Sequence, residues 1–195
     1  MAVERLSQAS IGTLNKYSSM MAGSAFLTDF QLISTQLISS TTATVTFSGI
    51  SQSYRHLQVR VAVRSDAAAE ADAVIFNFNG DTGTNYSFHS LMGTGSSVVS
   101  NATVSGTYGL GNNIPAATAT TNSFGASIID ILDYSSTTKN KTTRSLGGMN
   151  SATTSYARFI SSAWLSTAAI TSIVLKPTGT NNFVAGSRIS LYGWN

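Results

Sequence analysis

The chain runs to 195 residues, room for one β-sandwich or barrel with a short appendage and tight for two full domains. Hydrophobic residues make up 42% of it but charged residues only 10%, against roughly 25% in an average soluble domain; 56 serines and threonines fill the difference. The net charge of +3, from 11 basic and 8 acidic side chains spread along the chain, lacks the patch or stripe of a nucleic-acid binder, and the absence of cysteine excludes a disulfide framework, a Cys-ligated zinc site and a thiol nucleophile.

Hydroxyls and β-branched threonine suit a pleated, half-exposed surface and disfavour long helices. A surface poor in charge also costs less to desolvate against another protein. Both point to an all-β protein that lives in an assembly. Met1–Ser10 carries Glu4 and Arg5 and leads into no apolar h-region, and no apolar run approaches the length of a membrane span. A soluble chain that does not use the common secretory signal is therefore expected.

Residues 1–30 read as an N-terminal arm. Leu6, Ile11, Leu14, Tyr17, Met20, Met21, Phe26, Leu27 and Phe30 recur there without period-2 alternation, and the spacing of Leu14, Tyr17 and Met21 admits one or two helical turns. An arm this apolar should pack on its own β-domain or on a neighbouring subunit, and we expect the neighbour. Residues 31–195 form the β-domain. Gln31–Ser39 opens the series and Thr44–Ile50 follows. The clearest strand is Leu57–Arg64, where Leu57, Val59, Val61 and Val63 alternate with Gln58, Arg60, Ala62 and Arg64, one face for the core and one for solvent or an interface. Next come Ala73–Asn79, with Val74, Phe76 and Phe78 on one side, and Tyr86–Met92. Ser100–Asn122, rich in Gly, Asn, Ala and Thr, reads as a long loop or a pair of exposed edge segments. Ser127–Leu132, Thr142–Leu146, Tyr156–Ala163, Ile170–Leu175 and Arg188–Tyr192 complete the strands. Turn signals at Asn79-Gly80-Asp81, Gly93-Thr94-Gly95, Gly147-Gly148, Pro177-Thr178-Gly179 and Ala185-Gly186 separate them. Short strands at this spacing predict an antiparallel β-sandwich or jelly roll.

Groups able to titrate or attack are few: His56, His89 and eight acids. Either histidine matches some serine and aspartate, but in a chain this rich in serine such a match carries no weight, and there is no Gly-x-Ser-x-Gly elbow. Both read as hydrogen-bonded structural or interface residues, so no catalytic residue is assigned. Asn79, Asp81 and Asn85 offer oxygens to calcium, but Asn79-Gly80 fits a tight turn better, with Asp81 accepting from local N–H groups. Asp66, Glu70 and Asp72 flank Ala67-Ala68-Ala69 as a solvated loop. The densest basic group, Lys139, Lys141 and Arg144, reads as solvated loop charge. No metal or cofactor is expected. Among the aromatics, Tyr108, Trp164 and Trp194 are candidate exposed contacts, with core or interface packing as the plainer reading for these as for the others.

Several phrases stand together: Phe47-Ser48-Gly49-Ile50, then Tyr54-Arg55-His56-Leu57-Gln58-Val59-Arg60, then Arg64-Ser65. Phe78-Asn79-Gly80-Asp81-Thr82-Gly83 follows with Asn85-Tyr86-Ser87. Late in the chain come Ser162 with Trp164, Ala168-Ala169-Ile170-Thr171-Ser172 and Phe183-Val184-Ala185-Gly186-Ser187-Arg188-Ile189-Ser190-Leu191-Tyr192-Gly193. Over roughly residues 40–193 this series resembles small virion proteins of tailed bacteriophages, especially those of marine and cyanobacterial hosts. The resemblance implies a β-sandwich component of the particle exterior, assembled in the host cytoplasm and located in the virion. Its partners would be other virion proteins and copies of itself, a homo-oligomer for which a trimer is a reasonable expectation. The first reading is a non-enzymatic capsid-surface decoration or cement protein, its arm pinning neighbours through Leu6, Ile11, Leu14, Tyr17, Met20, Met21 and Phe26. The second is a tail-fibre or receptor-binding head touching host-surface glycans. An enzyme such as a depolymerase or esterase ranks last. Neither leading reading calls for nucleic acid or a membrane.

Overall fold

Alternating β-branched and aromatic residues make strands of more than half of the described chain. The computed structural model describes residues 30–195. In chain order the strands are β1 (Phe30–Leu37), β2 (Val45–Phe47), β3 (His56–Val63), β4 (Ala71–Phe78), β5 (Tyr86–Gly93), β6 (Val98–Gly106), β7 (Gly109–Pro115), β8 (Gly125–Leu132), β9 (Lys141–Asn150), β10 (Ser155–Trp164), β11 (Ile173–Pro177) and β12 (Arg188–Trp194). Among the described residues there is no helix, and so none long and apolar enough to cross a membrane. The arm residues Leu6, Ile11, Leu14, Tyr17, Met20, Met21 and Phe26 lie outside the described residues.

Eight strands form one sheet in the order β1-β12-β3-β8-β9-β10-β5-β6, and four form the other, β2-β11-β4-β7, with every pair antiparallel. The chain is thus all-β and sandwich-like. β3 places Leu57, Val59, Val61 and Val63 inward as its alternation predicts. They meet Ile129 and Ile131 of β8, Ile189 and Leu191 of β12, and Val74, Phe76 and Phe78 from β4 of the facing sheet. Ile75, Phe88, Leu110 and Ile160 make a smaller cluster.

Two expectations about strands and turns need correction. The Gly147-Gly148 turn is no turn: both glycines lie inside β9, paired on one side with β8 and on the other with β10. Backbones pass so closely there that a Cβ on Gly148 would stand 2.1 Å from the Tyr156 carbonyl oxygen, and one on Gly147 2.2 Å from the Ser127 Cβ. Ser100–Asn122 is neither a long loop nor wholly exposed. It contains β6, which is an exposed edge, and β7, which is buried nearly throughout. Asn112 in β7 survives burial because its amide donates to the Ser145 hydroxyl and the Arg158 carbonyl, both at 3.2 Å. Asn79-Gly80 does adopt positive φ at both residues, 51° and 69°. The turn carries the chain from β4 in one sheet to β5 in the other rather than closing a hairpin.

Polar groups tie the strand ends together. Asp66 accepts from the Asn182 amide and side chain, Glu70 from Ser151, Thr153 and Thr154, and Asp72 from Thr178 and Asn181. The three acids therefore pin this stretch to two distant segments, residues 151–154 and 178–182, and only Asp66 stays exposed as the solvated-loop reading expects. Lys141 is also misread as a loop charge. Its side chain is fully buried, its ammonium donates to the Lys139 and Thr167 carbonyls at 2.7 and 3.2 Å, and burial lowers its pKa.

Candidate functional site

The outward face of the eight-stranded sheet carries the most unusual pattern. Strand pairing sets Ile128 opposite Leu146, Leu146 opposite Phe159, and Phe159 opposite Leu91, so β8, β9, β10 and β5 contribute one apolar side chain each to a single transverse row. All four are exposed, Leu146 by 66% and Leu91 by 54%. With neighbouring strands about 4.8 Å apart, the row is about 14 Å long.

The row inverts the normal sorting of strand residues. Ser127, Ser145 and Ser90 are buried, while their chain neighbours Ile128, Leu146 and Leu91 face outward. Among the described residues the Ser127 hydroxyl has no hydrogen-bond partner; that of Ser145 donates to the Gly111 carbonyl. One exposed leucine needs no explanation, but an aligned apolar row beside buried serines forms a contiguous exposed apolar patch, the kind of surface feature that singles out a candidate site.

The flanking rows suit such a surface. On one side Gln58, Asp130, Arg144, Ser161 and His89 follow in register. Asp130 accepts from Gln58 at 2.7 Å and from Arg144 at 3.0 Å, so opposite charges are satisfied within the face. On the other side Ala126, Gly148, Ala157 and Gly93 form a floor of small residues. The floor opens a hollow of about 600 Å³ bounded by Phe124, Tyr156 and Asn150.

Most of the other reactive side chains are engaged in structure. His56 accepts the Asp133 backbone N–H at its Nδ1 (3.0 Å) and lies against the Trp194 ring at 4.5 Å. Burial holds its pKa below the usual value, outweighing the Asp133 carboxylate 3.8 Å away. His89 is exposed and stands opposite Ser161. Asn79 Oδ1 accepts from the Thr171 and Ser172 amides, at 2.9 and 3.1 Å, which occupies the oxygen a cation would need. Among the described residues no three of His, Cys, Asp or Glu gather as a metal site.

Trp164 is not an exposed contact. It lies in the core at 3% exposure, packed on Phe78 and Tyr86, and its indole N–H donates to Asp81 at 2.6 Å. The strand phase that turns Phe159 outward turns Trp164, on the same strand, inward. Tyr108 is half-buried against the smaller core cluster, and Trp194 is half-buried. The outward row itself escaped the sequence, because each of its residues sits singly in an ordinary strand and only pairing aligns them.

The Asp81 carboxylate also accepts from Asn85 (2.9 Å) and the Gly83 amide (2.8 Å), and the Trp164 bond, first among these, holds its pKa below the ordinary carboxylate value. A depressed carboxylate contributes stability that is present above its unfolded pKa near 3.8 and is lost as pH falls through the folded value. Asp81→Ala is expected to cost about 1–3 kcal/mol at pH 7 by stranding the buried indole N–H. The gap between variant and parent should narrow below about pH 4, read as melting temperature against pH. A gap independent of pH would remove the carboxylate from this role.

No protein-family model matches the chain, and no curated protein matches it.

Proposed function

We propose that this chain is a non-enzymatic structural subunit of a tailed-phage particle, a decoration or cement protein of the capsid surface that seats its eight-stranded sheet on neighbouring virion proteins. The observation that carries this reading is the row Ile128–Leu146–Phe159–Leu91, exposed beside buried serines. Residues with that sorting fit a face that another protein covers, and the internally paired Asp130 and Arg144 spare such a contact any unmatched charge. The phage setting is supported by the phrases between residues 40 and 193. In this reading residues 1–30 attach the subunit to its neighbours.

A second reading, a tail-fibre or receptor-binding head, is favoured by one feature. The hollow floored by Ala126, Gly148 and Ala157 has Phe124 and Tyr156 at its sides, a size and lining that suit a sugar ring. Cryo-electron microscopy of purified particles separates the two. Copies in the hundreds on the shell are expected, whereas a handful at the tail, together with binding of the isolated protein to host cells, would replace the first reading with the second. Absence of the protein from purified particles would end both.

A further inference from the structure

β6 is the last described strand on its side of the eight-stranded sheet, so its outer row of N–H and C=O groups has no partner strand among the described residues. Proteins shield such edges with charges, proline, short length or bulges. β6 runs from Val98 to Gly106 without a charge or a proline, and Val98 and Val104 are 72% and 76% exposed. Its one irregularity lies at the far end. Tyr86 pairs with Gly106 and Phe88 with Thr103, so Val104 and Ser105 bulge against Ser87, and Ser105 takes φ 57°. Residues 98–104 remain a neutral edge, unguarded among the described residues, up to that bulge.

This edge is complementary to itself. A twofold axis normal to the sheet lays β6 of a second copy antiparallel beside the first and keeps every side chain on its own face. Facing residues must then share the same phase of the pleat, which leaves only registers centred on a residue. Centring on Asn101 sets Val98 opposite Val104 of the second copy, Val99 opposite Thr103, Ser100 opposite Ala102, and Asn101 opposite itself. Three pairings place β-branched or small residues together, the combinations that favour cross-strand packing, and the fourth sets two amides face to face. Centring on Ser100 sends Val104 to the hairpin tip at Ser96, and centring on Ala102 sets Val98 against Gly106 beyond the bulge. The match holds whichever alternate residues of β6 aim their N–H and C=O groups outward, because either set then forms the ladder.

The geometry points to a homodimer joined by antiparallel pairing of β6 with β6 of a second copy about a twofold axis at Asn101. This rests on β6 alone and stands or falls apart from the phage-particle reading.

The full chain contains no cysteine, so Asn101→Cys creates a single thiol that faces its own copy across the axis, with Cα atoms about 4.5–5.5 Å apart, within disulfide reach. Sedimentation of the parent at micromolar concentration is expected to show a dimer. Under mild oxidation the N101C chain should cross-link at least ten times faster than Ser96→Cys at the hairpin tip. V98K/V104K places like charges opposite one another at both ends of the ladder and should yield a folded monomer. V98K/V104E sets ammonium against carboxylate in the same register and should restore the dimer. A monomeric parent, equal cross-linking of N101C and S96C, or the same oligomeric state in both charge variants would overturn the pairing.

Discussion

If the chain is the particle subunit proposed above, lysine at Leu146 and Phe159 together is expected to release it from the particle while leaving the isolated chain folded. Both side chains project from the centre of the outward row, on adjacent strands and directly opposite one another. Fully burying such a side chain is worth about 1.5–3 kcal/mol, and as each is already partly buried, about 1 kcal/mol apiece is at stake on docking. Two ammonium groups pressed against an apolar partner add a desolvation cost of a few kcal/mol more. The sum, about 4–5 kcal/mol, corresponds to about a 10³-fold or greater loss of affinity. Neither residue supports the core, so the melting temperature should move by only about 2 °C. Purified L146K/F159K protein added to particles lacking the protein would show the loss directly as occupancy. Full occupancy by a folded double variant would remove this face from the contact.

The largest loss of stability is expected at Arg64. Its side chain is buried after the end of β3, and its guanidinium donates to the carbonyls of Thr120 (2.7 Å), Ala119 (3.0 Å), Ala117 (3.2 Å) and Ser123 (3.2 Å) and to the Ser123 hydroxyl. One cation thus replaces water for a turn that has no ladder of its own. Its burial is tolerated because both terminal nitrogens of the guanidinium are met by an array of backbone oxygens and one hydroxyl rather than by a single carboxylate. Arg64→Met keeps most of the volume but strands the carbonyls, at a cost of about 3–5 kcal/mol. For a chain of this size that lowers the melting temperature by about 10 °C. Arg64→Lys should recover only part of it, since a point charge cannot span carbonyls arrayed around a planar fork. Thermal unfolding of the three proteins, with limited proteolysis to report opening of residues 116–123, would measure this. Equal stability of R64M and the parent would refute the role.

How well an element could be read in advance depended on whether its signal was local. β3 is clean because its valines alternate without interruption, and the ends of β5, β8 and β12 fall within two residues of their expected positions. β7 hid because Gly109–Pro115 has no strand-like alternation; it becomes a strand through pairing with β4 and through partners for Asn112 that lie more than thirty positions away. β9 was cut short because paired glycines usually mark a turn, whereas here they admit two crowding neighbours. Trp164 was misplaced for want of strand phase, and the deep partners of Lys141 and Arg64 are carbonyls, which no sequence pattern reports. The outward apolar row is the clearest case. Its four apolar residues come from chain positions 91 to 159, and nothing in any one strand marks them as a set.

The apolar row ends at Leu91, on the strand next to β6, with Ser100 directly opposite. Two chains joined along β6 about an axis normal to the sheet would therefore turn both rows to the same side, towards one supporting surface. Such a pair grips twice. Each foothold, released alone, is held near its seat by the other, and linked contacts of this kind outlast single ones by about 10²–10⁴-fold without any new contact being made. A subunit whose individual seat is only a few side chains wide could then remain in place under dilution that would wash a lone copy away.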